Sequence, residues 1–421
     1  MMRTIQIDLE LTPQIQEALI TSKELYNSLN FYLRQRYFEL CGQDIYKHNA
    51  FTQEELELMK SIVFNVNYPL KTEYINWVKR KNDLTLHAKV TQSLVNQLAK
   101  NWKSYFALRK QGDKTVNIPR YKKTYHQLTF NKQTFSKPAL KNGRLKTWLF
   151  DVGLPKFALD VQSATLSMTK AGYPTLYVVY NEKINPIDIK EHYVIAGVDL
   201  GVKNLATVAF DEKYKPLTYK VSCLMNKLNH LNYQSDQLQS SKSPRYLKKI
   251  NHKNKLIKHT LHIVSNRMVQ DLLSRNVKTV VIGKNLDWKD GVNIGRKNNR
   301  KFYQIPHAKF INILRYKLEA VGIDLIEQEE SYTSKASFID GDAIPNYQGN
   351  CVKPKFSGQR INRSNYITRD GILIHADVNA AYNIITKYSQ SGNERLETIR
   401  NWLVKGCRVV QPLGVSVNFN G

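Results

Sequence analysis

The spacing of apolar residues changes twice in the first half of the chain, and this restricts the possible folds more than any other feature. Residues 3–10 alternate between polar and apolar side chains, which predicts a strand. At Thr12 and Pro13 a capping residue and a proline begin a helical pattern that continues, with breaks, to about residue 110. Short runs typical of strands follow between residues 127 and 180. This order predicts one β-rich module, residues 1–10 and 111–191, with a helical domain inserted at residues 11–110.

A different arrangement is predicted after residue 192. An apolar hairpin at 193–210 precedes a long basic helical stretch, and strands and helices then alternate, with strands at 277–282 and 323–328 and helices at 306–320 and 376–387. This order is compatible with an RNase H-like α/β domain over residues 192–388. Residues 389–421 form a tail too short for a domain of its own. The predicted fold class is therefore α+β with several domains.

The charge balance indicates the kind of partner. The chain has 63 Lys and Arg against 35 Asp and Glu, a formal net charge of +28. Because 42% of the residues are hydrophobic, this is a folded protein and not a disordered basic tail. An excess of this size predicts a polyanionic partner, and nucleic acid is the obvious one.

Cysteine usage and apolar runs restrict the environment of the protein. The four cysteines lie far apart and form no CxxC pair, which excludes a disulfide scaffold and disfavours a four-cysteine zinc site. No window approaches eighteen consecutive apolar residues, and the first residues contain no apolar leader. We therefore expect a cytoplasmic protein that does not interact with membranes.

Three acidic positions are candidates for catalysis. Asp199 lies at the end of an apolar strand, Asp377 begins a helix with small residues, and an acidic run follows the strand at 323–328. Two carboxylates brought together at a sheet require divalent cations between them, and such two-metal sites hydrolyse phosphodiesters. The alternatives are an ordinary acid entering a hairpin turn, a helix N-cap, and a solvated acidic edge. If the strand continues through the run, Glu330 shares a face with Ile326 and Gln328.

Basic residues alternate with aromatic ones in the first half of the chain, which favours contact with nucleic acid because cations neutralise phosphates and rings stack on bases. A solvated charged face is the alternative. The predicted nucleic-acid-binding residues here are Arg120, Tyr121, Lys122 and Lys123.

Three motifs taken in order carry a resemblance to a known family. They are VDLGVKNLATVAF at 198–210, EESYTSK at 329–335 and HADVNAAYNI at 375–384. Together they resemble the TnpB proteins of bacterial insertion sequences, which are RNA-guided DNA nucleases related to the type V CRISPR effectors. The resemblance extends upstream through residues 98–106 and 118–123 and leaves only about 389–421 unmatched.

The resemblance implies both architecture and activity. The module at 1–10 and 111–191 would be a β-barrel wedge, residues 11–110 a helical recognition lobe, and residues 192–388 a RuvC-like nuclease domain. The expected partners are a guide RNA derived from the transposon end and double-stranded DNA that carries a short duplex motif. The expected cofactor is a pair of Mg²⁺ ions. Lys203 and Ser334 are expected to touch nucleic acid near the cut.

The sequence departs from the family pattern at the second catalytic acid. The family places a glutamate at the end of the strand at 277–282, where this chain has Gly283. Asp287 lies beyond the strand end, so we predict that Glu330, on the adjacent strand, replaces the missing acid, with Glu329 as second choice. The predicted catalytic and metal-binding residues are Asp199, Glu330 and Asp377. Asn204, Asn379 and Asn383 would orient the acids or the scissile strand, or else be structural asparagines.

A second departure concerns zinc. The family commonly has two CxxC pairs after the Tyr-Thr-Ser run, and the first pair is replaced here by Ser337 and Asp340, with only Cys351 nearby. We therefore expect residues 336–372 to fold as a small insertion without zinc. Two functions remain open at this point. One is a transposon-encoded RNA-guided endonuclease, and the other is a guide-dependent DNA-binding repressor that has lost cleavage. A guide-free RuvC-like nuclease is a third, smaller alternative.

Overall fold

The computed structural model describes residues 2–42, 52–60, 62, 72–169, 172–182, 193–238, 243–284, 305–346, 354–389, 394–406 and 409–415. The chain divides into two compact units, Met1–Lys183 and Ile184–Gly421. Helices and sheets occur in both, which confirms the predicted α+β class. Among the described residues no helix is long and apolar enough to cross a membrane.

The first unit is built on a sheet whose outer strand comes from the start of the chain. Strands β1 (Met2–Asp8), β2 (Leu128–Asn131), β5 (Val161–Met168) and β6 (Pro174–Asn181) form an antiparallel sheet of order β1-β6-β5-β2. Strands β3 (Arg144–Lys146) and β4 (Asp151–Gly153) form a separate hairpin. Strands from residues 2–8 and 128–181 therefore share one sheet, and the β-rich module as a separate domain and its closure into a barrel stay predictions.

A helical block lies between β1 and β2 in the chain. It contains α1 (Pro13–Leu40), α2 (Gln53–Lys60), α3 (Thr72–Lys81) and α4 (Ala88–Lys110), and the short α5 (Lys137–Lys141) follows β2. The hydroxyl of Thr12 accepts a hydrogen bond from the Ile15 amide at 3.2 Å, and Pro13 occupies the first turn. This confirms the capping residue predicted for α1, which supplies one of the partners that the first amides of a helix lack. The predicted joint at 65–69 lies outside the described residues.

The second unit contains a six-stranded sheet of order β11-β10-β7-β8-β9-β16. Strands β7 (Val194–Leu200), β8 (Asn204–Phe210) and β9 (Leu217–Lys220) form an antiparallel meander, and β10 (Val277–Gly283) and β11 (Asp324–Gln328) extend it in parallel. This strand order is compatible with the RNase H-like domain, which stays a prediction. The helices are α6 (Ser222–Gln237), α7 (Pro244–Leu273), α8 (His307–Glu319), α9 (Ala376–Ser389) and α10 (Glu394–Gly406).

Small residues let α9 approach the sheet closely. A Cβ built on Gly197 of β7 would overlap the carbonyl oxygen of Ala381 in α9 and come within 2.5 Å of the Ile385 side chain. Only glycine fits such an approach. The helix that carries Asp377 is therefore held against the strand that carries Asp199.

The tail at residues 389–421 contributes strands to both sheets of this unit. The sequence analysis made no prediction of these strands. Strand β16 (Leu413–Val415) pairs in parallel with β9. Strand β15 (Val409–Val410) joins a small sheet with β12 (Gln359–Arg360), β13 (Asn365–Ile367) and β14 (Leu373–His375). Residues 389–421 thus include strands of the second unit as well as a helix.

Candidate active site

The candidate site lies at the carboxyl ends of the parallel strands, where ligands bind in open α/β sheets. Ile282 of β10 is paired with Val198 of β7, so Gly283 and Asp199 follow side by side. On the other side, Gly283 is paired with Gln328, the last residue of β11. The ends of three neighbouring strands therefore meet at one edge of the sheet.

Strand β11 ends before most of the acidic run, whereas the sequence argument about alternating faces assumed that the strand continues through it. Strand β11 ends at Gln328, so the condition that the strand continues through the acids is wrong. A turn begins there, because the Ser331 amide bonds the Glu329 side chain at 2.8 Å and the Thr333 amide bonds the Glu330 carbonyl at 3.2 Å. Strand alternation therefore does not decide which of the two glutamates faces Asp199.

The turn brings Glu330 to the end of β10. A Cβ added to Gly283 would lie 2.7 Å from Oε2 of Glu330 and 3.3 Å from its Cβ. The carboxylate of Glu330 therefore fills the space in which a side chain at position 283 would begin. Glycine at 283 and glutamate at 330 are sterically coupled.

Asp377 lies in the first turn of α9 and is held by two polar neighbours. Nδ2 of Asn204 donates to its Oδ2 at 2.9 Å, and Nη2 of Arg360 lies 3.9 Å from its Oδ1. Asn204 begins β8, so the hairpin after Asp199 also fixes the orientation of Asp377. The predicted role of Asn204 as a group that orients an acid agrees with this contact.

The electrostatics link the three acids. Burial raises the pKa of Asp199 well above its ordinary value, the charges of Asp377 and Glu330 raise it further, and Arg360 opposes them. Burial also raises the pKa of Glu330 to about 7, with an added contribution from Glu329 and an opposing one from Lys387. Ionised carboxylates in such a group are stabilised by a cation.

The donor chemistry fits a divalent cation, because Mg²⁺ takes oxygen ligands and is commonly bound by one or two carboxylates with water and substrate oxygens. Asp199, Glu330 and Asp377 are the residues that would hold it. Within the described part of the chain, no three His, Cys, Asp or Glu side chains are arranged as a ready metal site.

The other acids of the run are engaged by cations. Oε2 of Glu329 accepts from Nζ of Lys387, and Glu327 is bonded by Lys284 at 2.5 Å and by Arg315 at 2.6 Å. These contacts direct Glu327 and Glu329 toward their own partners. They favour Glu330 over the second choice, Glu329, as the acid that faces Asp199.

The two asparagines of α9 bind the segment that follows Glu330. Asn379 accepts from the Phe338 amide at 3.0 Å and donates to the Ala336 carbonyl at 2.7 Å. Asn383 donates to the carbonyls of Thr333 and Ala336 at 2.8 and 2.7 Å. Both amides bond to backbone, which favours the structural alternative for these two residues.

The residues predicted to contact nucleic acid differ in their exposure to solvent. Lys203 and Ser334 are exposed in the second unit, and Arg120, Tyr121 and Lys123 are exposed in the first. Lys122 is partly buried, and its Nζ lies 5.1 Å from the centre of the Tyr26 ring. The segment is fixed to α1, because Asn27 bonds both the amide and the carbonyl of Lys122 at 2.8 and 2.9 Å.

The insertion uses hydrogen bonds at the positions where the resemblance places cysteines. The Ser337 hydroxyl accepts from the Asp340 amide at 3.3 Å, and Asp340 accepts from the Arg369 amide at 3.1 Å. Asp342 accepts from the amides of Ser337 and Ser357 at 2.7 and 3.0 Å. Cys351 lies outside the described residues, as does Asp287.

Sequence reasoning missed two cations of the site, Arg360 and Lys387. Arg360 lies in the insertion, where no motif marks it. Lys387 lies four residues after Asn383 on the same face of α9, and its side chain is only 3% exposed. A lysine that continues the buried face of a helix is the signal that was available for it.

One protein-family model matches this part of the chain. Residues 307–384, which contain Glu330 and Asp377, match the Cas12f1-like TNB domain. This stretch is similar to a domain of Cas12f1-like proteins. The match confirms the resemblance drawn from the motifs, and it covers the segment whose first CxxC pair is replaced by Ser337 and Asp340.

Solved structures similar to the chain include two effector proteins. One is Cas12f1 in a complex with guide RNA and target DNA, 16% identical, covering 91% of this chain and 98% of the other, with a TM-score of 0.35. The other is the mini-RNA-guided endonuclease CRISPR-Casphi3, 12% identical, covering 93% of each chain, with a TM-score of 0.43. At these values neither alignment establishes a shared fold. No curated protein sequence matches the chain.

Proposed function

We propose that this TnpB/Cas12-like protein is an RNA-guided endonuclease that cleaves double-stranded DNA beside a short duplex motif. Its RuvC-like site consists of Asp199, Glu330 and Asp377. The observation that carries the proposal is the position of Glu330, whose Oε2 lies 2.7 Å from where a side chain at Gly283 would begin. The acid is absent from the end of β10 and is supplied by the turn after β11.

Each residue of the site has a chemical role. The three carboxylates would hold two Mg²⁺ ions, and the chemistry that such ions would supply is activation of water and stabilisation of the leaving oxygen of a phosphodiester. Asn204 holds the Asp377 carboxylate in one orientation. Arg360 supplies positive charge beside Asp377, where the scissile phosphate is to be bound.

The guide and the target account for the charge of the chain. A net charge of +28 suits a protein that holds two polyanions, a guide RNA derived from the transposon end and a DNA target. Base pairing then supplies sequence specificity, and the protein reads only the short duplex motif. Arg120, Tyr121, Lys122, Lys123, Lys203 and Ser334 are the residues proposed to contact nucleic acid.

A second function has one observation in its favour. The chain has Gly283 where the family pattern has a catalytic glutamate, which suits a guide-dependent DNA-binding repressor that no longer cleaves. The grouping of Asp199, Asp377 and Glu330 argues against it, because a site with no function has no reason to keep acids whose pKa is raised by burial and by each other.

Plasmid cleavage separates the two functions. The purified protein with its copurified RNA is incubated with a target that matches the guide and carries a randomised flanking motif, in Mg²⁺ or in EDTA. We expect Mg²⁺-dependent double-strand cuts that Glu330→Gln reduces at least a hundredfold and the matched control Glu327→Gln, whose carboxylate pairs with Lys284 and Arg315, leaves nearly unchanged. Guide-dependent binding without cutting in either Mg²⁺ or Mn²⁺ would establish the repressor. Cleavage by the E330Q variant at the wild-type rate would exclude Glu330.

A further inference from the structure

We propose that Lys387 is a positioning residue that fixes the turn carrying Glu330 and thereby sets the direction of its carboxylate. The inference rests on the proposed function, because it assigns a purpose to Lys387 only if Glu330 is an acid of the site. It concerns a residue outside the motifs, at the far end of α9 from Asp377.

The ammonium group of Lys387 is bonded on both sides of Glu330. It donates to Oε2 of Glu329 and, at 3.2 Å, to the carbonyl oxygen of Ser331, and it lies 3.4 Å from the carbonyl oxygen of Pro345. A lysine has three donors, and these contacts use all of them. The residues immediately before and after Glu330 are therefore tied to one buried atom.

These hydrogen bonds from Lys387, here called the tether, take the place of the strand pairing that would otherwise hold the acid. A glutamate at the end of β10 would be held by strand pairing, whereas Glu330 lies two residues beyond the last residue of β11. Backbone bonds within the turn restrain it locally, and α9 supplies the remaining anchors. Asn379 and Asn383 hold residues 333–338, and Lys387 holds 329–331.

The anchors belong to the helix that also carries an acid of the site. Asp377 is in the first turn of α9 and Lys387 is in its last, so a single rigid element fixes one carboxylate directly and the other through the turn. Burying an ammonium is costly unless it is paired and hydrogen-bonded, and the 3% exposure of Lys387 shows that the fold accepts this cost. A lysine used only for solubility would project into solvent.

The test compares Lys387→Met with Lys284→Met, a matched control whose lysine pairs with Glu327 in the same acidic run. Binding of Mn²⁺ to the purified RNA complex is measured by electron paramagnetic resonance, and cleavage rate is measured against Mg²⁺ concentration. We expect Lys387→Met to weaken Mn²⁺ binding about tenfold, as is usual for groups that orient metal ligands, and to raise the Mg²⁺ needed for half-maximal cleavage. Lys284→Met should change neither.

Two further variants separate positioning from charge balance and from folding. The double variant Lys387→Met, Glu329→Gln removes the buried charge without restoring the tether, and we expect it to stay impaired in Mn²⁺ binding. Lys387→Arg retains donors to the turn and should keep part of the Mn²⁺ affinity. This variant keeps the test decisive if Lys387→Met folds poorly. Full recovery in the double variant, or wild-type Mn²⁺ affinity in Lys387→Met, would overturn the proposal.

Failure of the proposed function has a different signature. It would appear as wild-type protein that does not cut, or as Glu330→Gln that cuts normally. The Mn²⁺ measurement on Lys387→Met is made independently of cleavage.

Discussion

The carboxylate of Glu330 lies where a side chain on Gly283 would begin, with Oε2 2.7 Å from the position of the missing Cβ. The other close neighbour of that position is Cδ1 of Ile384, also at 2.7 Å. Both are ends of flexible side chains, so a new side chain at 283 displaces them at moderate cost. A glutamate at position 283 could therefore take over the space that the Glu330 carboxylate now fills.

Exchange of the acid tests this coupling. Glu330→Ala should abolish cleavage, and the double variant Gly283→Glu, Glu330→Ala should restore a substantial part of it, because the new glutamate enters the space that Glu330 leaves. Gly283→Ala alone should lower cleavage about tenfold or more by pushing Glu330 aside. Rates are compared on one plasmid target. A double variant no better than Glu330→Ala would contradict the exchange.

The stability of the metal-free protein should depend on pH through Glu330. Burial raises the pKa of this carboxyl to about 7 in the folded state, from an ordinary value of 4.5. The folded protein therefore prefers the protonated form, and this contribution to stability is lost as pH rises from about 4.5 to about 7. In EDTA we expect the melting temperature of wild type, relative to Glu330→Gln, to fall across this window, by an amount equivalent to roughly 1–3 kcal/mol. Parallel melting curves at all pH values would show that Glu330 is not buried in this way.

Removal of the Asn204 amide should act on metal binding more than on folding. Asn204→Ala loses the 2.9 Å bond to Asp377, and we expect about a tenfold weaker Mn²⁺ affinity. Asn379→Ala is the contrasting variant, because it removes the acceptor of the buried Phe338 amide and one of the two donors to the Ala336 carbonyl. It should lower the free energy of unfolding by about 1–3 kcal/mol. If both variants changed only the unfolding free energy, Asn204 would have no role in orienting the acid.

Close packing of α9 on β7 predicts a sharp effect at Gly197. A methyl group there overlaps the backbone oxygen of Ala381, which cannot move without shifting the helix. Gly197→Ala should reduce stability by about 1–3 kcal/mol or more and impair metal binding at Asp377. Gly414→Ala in β16 is the control, since nothing lies within 4 Å of its added Cβ. Urea unfolding measures both.

The insertion should keep its fold when zinc is removed. Asp342 joins residues 337 and 357 through three groups, two amides and the Ser357 hydroxyl at 2.5 Å. A strong zinc chelator should leave the melting temperature of wild type unchanged, and elemental analysis should find no stoichiometric zinc. Asp342→Asn should increase proteolysis within residues 336–372. Stoichiometric zinc would mean that Cys351 and other residues form a site.

Local sequence signals correctly predicted the structural features that depend on residues close together in the chain. The Thr12 cap, the strand that contains Asp199 near its end and the helix that begins near Asp377 all follow from spacing and capping chemistry. The choice of Glu330 had a mistaken premise, because β11 ends at Gln328 and a turn, not strand alternation, brings the side chain to Gly283. Turn geometry of this kind depends on contacts with α9 that are distant in sequence.

The remaining features depend on pairing across long separations. Nothing local marks β16 as a partner of β9, or Arg360 as a neighbour of Asp377, because each contact is made only after other elements have packed. Lys387 is an intermediate case. Its place on the buried face of α9 was readable from the helical period, but its partners on the acid turn were not.

The pairing of β16 with β9 also has a consequence for the order of events during translation. The first five strands of the six-stranded sheet are made well before β16, and at roughly 5–20 residues per second on the order of 10–40 s separate the synthesis of β7 from that of β16. During that interval the edge of β9 lacks its partner, and until α9 is made Asp199 has neither Asp377 beside it nor the anchors of the Glu330 turn. The candidate site of the nascent chain is therefore incomplete until α9 has been made, and the edge of β9 stays unpaired until β16 follows.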